Sequence, residues 1–501
     1  MTENPLRLYD TLSRTVRPFD PIIPGQVRMY SCGPTVYSRA HLGNMRAYVF
    51  ADTVRRALLW KGYDVRHVVN ITDVGHLLAD ADMGDDKVEL AARSERRSVW
   101  DLTEHYTKVF KDDTARLGLL APERWTKATD YIDAMIAFAQ RLEASGHAYL
   151  LAEGLYFDTS AIDRYGAMAT MDHDAANAEA RIESIGGKRH PADFALWRTF
   201  APEEPAHAME WDSPWGRGAP GWHLECSVMS IDALGDHFDI HTGGVDHREV
   251  HHPNEDAQSR AYLDDGQPWV NWWMHVEFIQ FEGDKMAKSK GNVLDLDDVT
   301  TRGSEPLAYK LLLLASHYRS QVTLGPAGIT AGGNRYRRLV DAVRRRRVAI
   351  DTPDPSRGLL TLETALEAVP DGSTEHDVIE RIDAAISDDL ATPRLLAILD
   401  ETLRTDMSSS GLAVVLDTVR SLTGIDLLYD PTAPADIGDD LDPAERAAID
   451  ELVARREDAR RARDYALADQ LRAELLARHD AVVTDTPDGP TWQRATSIMS
   501  G

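Results

Sequence analysis

Tyr30-Ser31-Cys32-Gly33-Pro34-Thr35-Val36-Tyr37-Ser38-Arg39-Ala40-His41-Leu42-Gly43-Asn44 joins a strand to a helix. Val27 to Cys32 reads as a short strand, and from Ala47 to Trp60 apolar residues (Val49, Phe50, Val54, Ala57, Leu58) recur at helical spacing. At such a junction the N–H groups that open the helix and its positive dipole end favour an anion, and Gly43 lets the backbone approach one closely. Cys32 is a candidate metal ligand and His41 a candidate phosphate-binding residue. Taken alone, a His-X-Gly before a helix is most often a cap and a turn.

Working outward, Asp64 to Asn70 reads as a second buried strand, followed by Ile71-Thr72-Asp73. Strand, helix, strand in this order predicts a parallel sheet with right-handed crossovers, and ligands of such sheets gather at the carboxyl ends of the strands. The expected class is α/β, a Rossmann-like doubly wound catalytic domain. The 501 residues suggest about three or four domains. Apolar content of 43% and charged content of 27% are those of a soluble globular protein. No apolar run approaches the roughly 20 residues of a membrane span, and the N-terminus lacks a secretory pattern, so a cytoplasmic location is expected.

A net charge of −27 opposes non-specific binding to nucleic acid or anionic membrane. A nucleic-acid partner needs local basic faces, and two clusters supply them: Arg335, Arg337, Arg338 and Arg344 to Arg347, then Arg455, Arg456, Arg460, Arg461 and Arg463. Each reads equally well as a solvated helix face. The only cysteines are Cys32 and Cys226, which excludes a disulfide framework and fits a reducing compartment. One Cys32–Cys226 disulfide and a metal site both suit the pair; the surrounding His, Trp and Gly point to the metal.

Residues 74–90 carry an acidic run read as a solvated loop, and helices are expected over 100–119 and 128–144. Residues 150–210 read as irregular, an insertion in the doubly wound core. The core resumes at 211–226, with His223 to Met229 able to form a helix. Phe238 to His241 reads as a short strand leading through Thr242-Gly243-Gly244 into Val245-Asp246-His247-Arg248-Glu249-Val250-His251-His252-Pro253-Asn254-Glu255. Four residues apart on a helix, His251 and Glu255 project from one face, and both residue types bind zinc. With Cys32 and Cys226 they would form a site of two thiolates, an imidazole and a carboxylate; an ion pair or a core histidine is the plainer alternative. Lys285-Met286-Ala287-Lys288-Ser289-Lys290-Gly291-Asn292 is a basic loop whose lysines could neutralise charge building on a triphosphate, or simply face solvent.

Together, Tyr30–Asn44, Gly221–Cys226, His241–Glu255 and Lys285–Asn292 resemble the cysteinyl-tRNA synthetase family of class I aminoacyl-tRNA synthetases. The two family signatures appear as His41-Leu42-Gly43-Asn44 and Lys285-Met286-Ala287-Lys288-Ser289. Further matches are Asn70-Ile71-Thr72-Asp73, Trp222-His223-Leu224-Glu225-Cys226, His317-Tyr318-Arg319-Ser320, Asp389-Leu390-Ala391-Thr392-Pro393, Ala466 to Asp469, Asp485-Thr486 and Thr491-Trp492. The resemblance covers nearly the whole chain, and the order of the motifs makes it specific.

The resemblance implies an ATP-dependent ligase that converts L-cysteine to cysteinyl-adenylate and passes it to tRNA(Cys). It places one zinc ion per chain on Cys32, Cys226, His251 and Glu255, where it would hold the substrate thiol and so reject serine without an editing domain. His41, Asn44, Lys285 and Lys288 would be catalytic. ATP, with Mg, would be bound by Gly33, Thr35, His41, Gly43, Asn44, Lys285 and Lys288, and Thr35, Trp222, His223, His241 and Asp246 would line the amino-acid pocket. The implied domains are catalytic halves at 1–124 and 211–300 around a connective insertion at 125–210, a stem-contact region at 301–350, a helical bundle at 351–435 and an anticodon-binding domain at 436–501, in a monomer. Within the last, Arg455 to Arg478 reads as one basic helix with Leu467, Leu471 and Leu475 on one face.

The chain departs from the family pattern at Ala287, usually serine, at Asn44, and at Val245 to Val250, where an apolar segment is usual; His247 adds a candidate extra ligand. Two other readings compete. One is an enzyme of the same fold that passes cysteine to a small amine, as mycothiol ligase does; the other is a non-catalytic RNA-binding relative. The retained C-terminal region argues against the first, and His41, Lys288 and the zinc set argue against the second.

Overall fold

The computed structural model describes residues 4–75, 87–170, 187–201, 207–281, 284–285, 294–346, 358–428, 443–462, 464–479, 481–486 and 489–494. Its centre is a five-stranded sheet, all parallel, in the spatial order Val270–Val276, Phe238–Gly244, Gln26–Ser31, Asp64–Ile71, Arg124–Lys127. Read along the chain, the sheet grows outward one way from Gln26–Ser31 and later the other way. The strand order therefore reverses between Gln26–Ser31 and Phe238–Gly244, the crevice where doubly wound sheets hold ligands. The expected α/β class and parallel pairing are present.

The helix after strand Gln26–Ser31 runs Leu42–Trp60, starting five residues earlier than its apolar spacing alone predicts. Its start is set by a capping box: the His41 side chain accepts from the Asn44 N–H, and the Asn44 side chain accepts from the His41 N–H. Leu42, Met45, Val49, Phe50, Val54, Leu58 and Trp60 then bury one broad face in the largest core cluster. The expected helices at 100–119 and 128–144 correspond to Val99–Arg116 and to a short 3-10 turn, Ala128–Tyr131, running into Ile132–Ala144.

Residues 150–210 are not irregular throughout. Ala148–Leu151, Gly154–Phe157, Phe194–Thr199 and Gly218–Pro220 form a four-stranded antiparallel sheet, in that order. Its register explains the glycines: a Cβ at Gly218 would lie 1.8 Å from the Arg198 carbonyl oxygen. The strands are too short for alternation to reveal them, and beyond the hairpin of Ala148–Leu151 with Gly154–Phe157 their partners lie far apart in the chain.

Beyond the parallel sheet, Ile279–Phe281 pairs antiparallel with Asp284–Lys285 and parallel with Val322–Leu324. Helices Pro306–Leu314, Pro326–Arg345, Thr374–Ser387, Thr392–Thr402 and Ser409–Thr423 follow, as the helical C-terminal reading requires.

The chain divides into two compact units, residues 1–428 and 429–501. In the second, two helices, Pro443–Arg461 and Tyr465–His479, replace the single helix expected from Arg455 to Arg478. They pack with the antiparallel pair Ala481–Thr486 and Gly489–Arg494 around Ile449, Leu452, Leu471, Leu475 and Val483. Leu471 and Leu475 are buried, whereas Leu467, expected on the same face, is exposed. Arg456 is buried, not part of a solvated basic face.

Candidate metal and nucleotide site

Cys32 follows the last residue of strand Gln26–Ser31, at the point where the strand order reverses; its N–H donates to the Thr242 carbonyl at 3.2 Å. Cys226 comes from the first turns of helix Trp222–Leu234, and His251 and Glu255 from the first turns of helix His251–Leu263. The chain breaks at Val250 (φ −136°, ψ −55°), so the short helix Val245–Glu249 ends and a new helix aims His251 and Glu255 inward. One donor atom from each of Cys32, Cys226, His251 and Glu255 lies within 4.8 Å of the others, and all four residues are buried. Both cysteines are free, so the disulfide alternative is absent.

The donor set suits a metal better than a hydrogen-bonded core. Glu255 Oε1 lies 2.6 Å from His251 Nε2, yet it has no hydrogen bond among the described residues. A protonated His251 would pair with that oxygen, and a cation held between the two would replace the proton. Outer partners orient the donors: His223 Nδ1 stands 2.9 Å from His251 Nδ1, and His241 Nε2 is 2.7 Å from Glu255 Oε2.

Electrostatics agree with this arrangement. Burial works against the Cys32 thiolate, but the bond from Cys226 and the nearby His247, His252 and His241 hold its pKa well below the usual thiol value. The bond that Cys226 donates to Cys32, together with burial, pushes its own thiol up. Burial also opposes charge on Glu255, but His251 and His241 lower its pKa. His251 moves up to about 10 against burial, chiefly through Glu255. The shifts favour charge on Cys32, Glu255 and His251 while burial opposes each, and a soft dication would take the place of the His251 proton between the two acceptors.

The structure also reveals members that sequence reasoning missed. His252 Nε2 is 3.3 Å from Cys32 Sγ, its Nδ1 is 2.8 Å from His275 Nε2, and His275 Nδ1 is 2.8 Å from Thr11 Oγ1. Cys32, His241, His252 and Glu255 form a second, overlapping donor set. Only the density of histidine around residues 241–252 hinted at this. His247 belongs to neither set; its ring centroid is 5.1 Å from that of His251.

Of the other expected pocket residues, Trp222 packs on His251 with ring centroids 4.1 Å apart and planes tilted by 33°, and His223 and His241 are buried at the basket. Thr35 bridges to Thr72 on the neighbouring segment, while Asp246 is exposed at the rim. Gly33 is required by close approach: its N–H donates to Asn70 Oδ1 at 2.7 Å, and a Cβ there would lie 1.6 Å from the Asn70 carbonyl oxygen. The Asn70-Ile71-Thr72-Asp73 motif therefore braces the turn after Cys32. Thr72 Oγ1 donates to Glu225 at 2.9 Å, and Asp73 accepts from the Thr129 N–H at 3.0 Å.

The His41 turn lies beside the exit of the lysine loop. The Leu42 N–H donates to the Leu294 carbonyl at 2.8 Å, and Arg39 pairs with Asp113, Asp295 and Asp297. Because His41 Nδ1 accepts from Asn44, the ring proton belongs on Nε2, where it can donate to an anion. Lys285 takes part in a strand, but its side chain, and all of residues 286–293 including Lys288, lie outside the described residues, as does the acidic stretch at 76–86. In the first basic cluster, Arg335 pairs with Asp400 at 2.9 Å and Arg346 donates to the Thr405 carbonyl at 2.8 Å, so these two serve the fold.

Residues 18–331 match the family model of the class I tRNA synthetase (C) catalytic domain. The chain is 43% identical to a cysteine–tRNA ligase of Zymomonas mobilis over 98% of each chain, and 44% identical to that of Novosphingobium aromaticivorans over 98% of this chain and 97% of the relative. Among solved structures, a leucyl-tRNA synthetase complex from Agrobacterium radiobacter superimposes with a TM-score of 0.55 at 13% identity, covering 81% of this chain and 84% of that one. Methionyl-tRNA synthetase of Mycobacterium tuberculosis, bound by methionyl-adenylate, gives 0.52 at 17% identity, covering 79% and 89%. These two likenesses establish the fold. The near full-length matches support the tRNA ligase reading over transfer to a small amine, and with the class I domain they decide the family: the chain belongs to the cysteine–tRNA ligases.

Proposed function

We propose that this chain joins L-cysteine to tRNA(Cys) through cysteinyl-adenylate, with the amino acid seated against the Cys32, Cys226, His251 and Glu255 basket and ATP against the His41 turn. The single observation that carries the reading is the buried donor set at the reversal of strand order, one loop away from a capped helix N-terminus. Zinc on those four residues would supply a Lewis acid that takes a thiol as thiolate and discriminates against a hydroxyl.

The chain's own residues do the rest. His223 and His241 hold His251 and Glu255 in orientation, and Trp222 walls the pocket. His41, through Nε2, and the opening N–H groups of the helix receive the phosphates, with Asn44 holding the His41 turn. Gly33 and Thr35 form the floor of the turn, and Gly43 keeps its first residues slim. Lys285 and Lys288 neutralise the departing pyrophosphate, with Mg accompanying ATP. Positioning and charge neutralisation carry most of the barrier reduction in such transfers.

We assign 125–210 to a connective insertion, 301–350 to stem contact, 351–435 to the helical bundle and 436–501 to anticodon reading, in a monomeric, cytoplasmic enzyme. Among the described residues, no helix is long and apolar enough to cross a membrane.

Aminoacylation of total tRNA with labelled cysteine tests the reading. Charging of one tRNA species is expected; cysteine-dependent pyrophosphate exchange without charging would overturn the acceptor. Truncation after residue 428 should preserve exchange while tRNA charging falls by orders of magnitude, because the basket and the His41 turn lie in the first unit.

A further inference from the structure

His317-Tyr318-Arg319-Ser320 and Asp389-Leu390-Ala391-Thr392-Pro393, two motifs far apart in the chain, meet at one buried carboxylate. Asp389 accepts from Tyr318 Oη at 2.6 Å, from Arg319 Nε at 2.8 Å and from the Tyr9 N–H at 2.9 Å. Its own N–H donates to the Arg7 carbonyl at 3.0 Å, and its carbonyl oxygen lies 2.9 Å from His317 Nε2. Asp389 and Leu390 both sit in the left-handed region (φ +52° and +57°), unusual for two successive residues that are not glycine. Such strain persists only where the surroundings over-determine the backbone, and it clusters where geometry matters for function.

What the carboxylate holds leads to both phosphate-handling elements. The Tyr318 carbonyl accepts from the Glu277 N–H at 2.9 Å, and the Phe278 carbonyl from the Val322 N–H at 3.2 Å. Strand Val322–Leu324 then aligns Ile279–Phe281, which pairs with Asp284–Lys285 at the entrance to the lysine loop. In the other direction, buried Arg46, in the turn after Asn44, donates to the Phe278 carbonyl at 2.7 Å and the Ser320 carbonyl at 2.6 Å. Loop 317–320 is thus a bracket between the helix that begins at His41 and the strand that feeds Lys285, and Asp389 anchors the bracket to the helical region.

We propose that Asp389 is a positioning residue for adenylate formation, setting the lysine-loop strand against the first turns of helix Leu42–Trp60. The inference rests on the phosphate-handling roles proposed above for His41 and the lysine loop. It separates adenylate formation from cysteine binding: among the described residues the hydrogen bonds of Asp389 go to Arg7, Tyr9, His317, Tyr318 and Arg319 and to none of Cys32, Cys226, His251 or Glu255, so cysteine affinity should not depend on the anchor.

Cysteine-dependent ATP–pyrophosphate exchange at saturating cysteine and varied ATP, on the full chain, tests this. Asp389→Ala should lower the exchange kcat about 10- to 100-fold, while cysteine binding without ATP and zinc content stay within about twofold. Ile382→Ala, a core truncation in the neighbouring helix Thr374–Ser387, serves as the stability control and should keep kcat within about twofold below its melting point. Should Asp389→Ala not fold, Arg319→Gln removes only an exposed partner and should lower kcat about threefold to tenfold. Wild-type kcat in Asp389→Ala or Arg319→Gln, or an equal fall in Ile382→Ala, overturns the proposal. A wild-type protein without cysteine-dependent exchange would instead overturn the function itself.

Discussion

Two buried polar clusters in the first unit have opposite logic. In one, Asp52 accepts from Arg56 Nε at 2.8 Å, from Lys310 Nζ at 2.9 Å and from the Leu120 N–H at 2.9 Å, and the spare donors of Arg56 reach the Gly118 and Ser421 carbonyls. The carboxylate is closed by protein donors and needs no ligand. Around Cys32, the two overlapping donor sets bring two thiols, one carboxylate and three imidazoles together, and Glu255 Oε1 and His241 Nδ1 have no hydrogen bond among the described residues. A closed network fastens elements together, while an open one marks where a further atom is expected.

The comparison breaks most sharply at the open cluster. Cys226→Ser should abolish bound zinc and lower cysteine-dependent pyrophosphate exchange by about a thousandfold or more, since a hydroxyl is a poor zinc ligand at neutral pH. Metal analysis and exchange assays check this, and a fully active, metal-free variant would refute it. At the closed cluster, Asp52→Ala should cost about 3–5 kcal/mol of stability, because it leaves buried Lys310 and Arg56 unpaired. Urea unfolding measures the loss, and the exchange rate per folded molecule should stay unchanged.

Smaller effects sharpen the contrast. His241→Asn, which removes the partner of Glu255, should weaken zinc affinity about 10- to 100-fold without changing thermal stability of the metal-loaded protein greatly. Competition with a chromogenic chelator reads it out. The smallest effect is a pH dependence. Burial opposes ionised Asp52, but Arg56 and Lys310 bring its pKa down to about 2 from an ordinary 3.8. A depressed carboxylate stabilises the fold above its unfolded pKa, and that contribution fades as pH falls from about 3.8 toward 2. The acid slope of unfolding free energy should therefore be shallower in Asp52→Asn than in the wild type over that window.

How far the sequence can be read follows from how local each cause is. His251 and Glu255 could be paired from spacing because a helix puts residues four apart on one face. Joining them to Cys32 and Cys226 took the rarity of cysteine and the resemblance, since no short spacing links the two. His252 and His275 were invisible as a relay because strand Val270–Val276 carries His275 to the site only through sheet pairing. The apolar period places the start of the helix after His41 too late, because its cap decides where it begins.

By itself the sequence determined the parallel sheet, the His251–Glu255 pair on one helix face and the strand-to-helix turn at His41. Those depend on periodicities of two and 3.6 residues and on side-chain chemistry that does not change with context. Only the tertiary structure decided which charges are shared and which are left open. Arg46, Arg56 and Lys310 look like ordinary polar positions until carbonyls from distant segments close on them, and Asp52 does so until Lys310 and the Leu120 N–H donate to it. The same holds for Asp389, whose partners come from residues 7–9 and 317–319. A buried charge is stable only in the company it keeps, and no local pattern records that company.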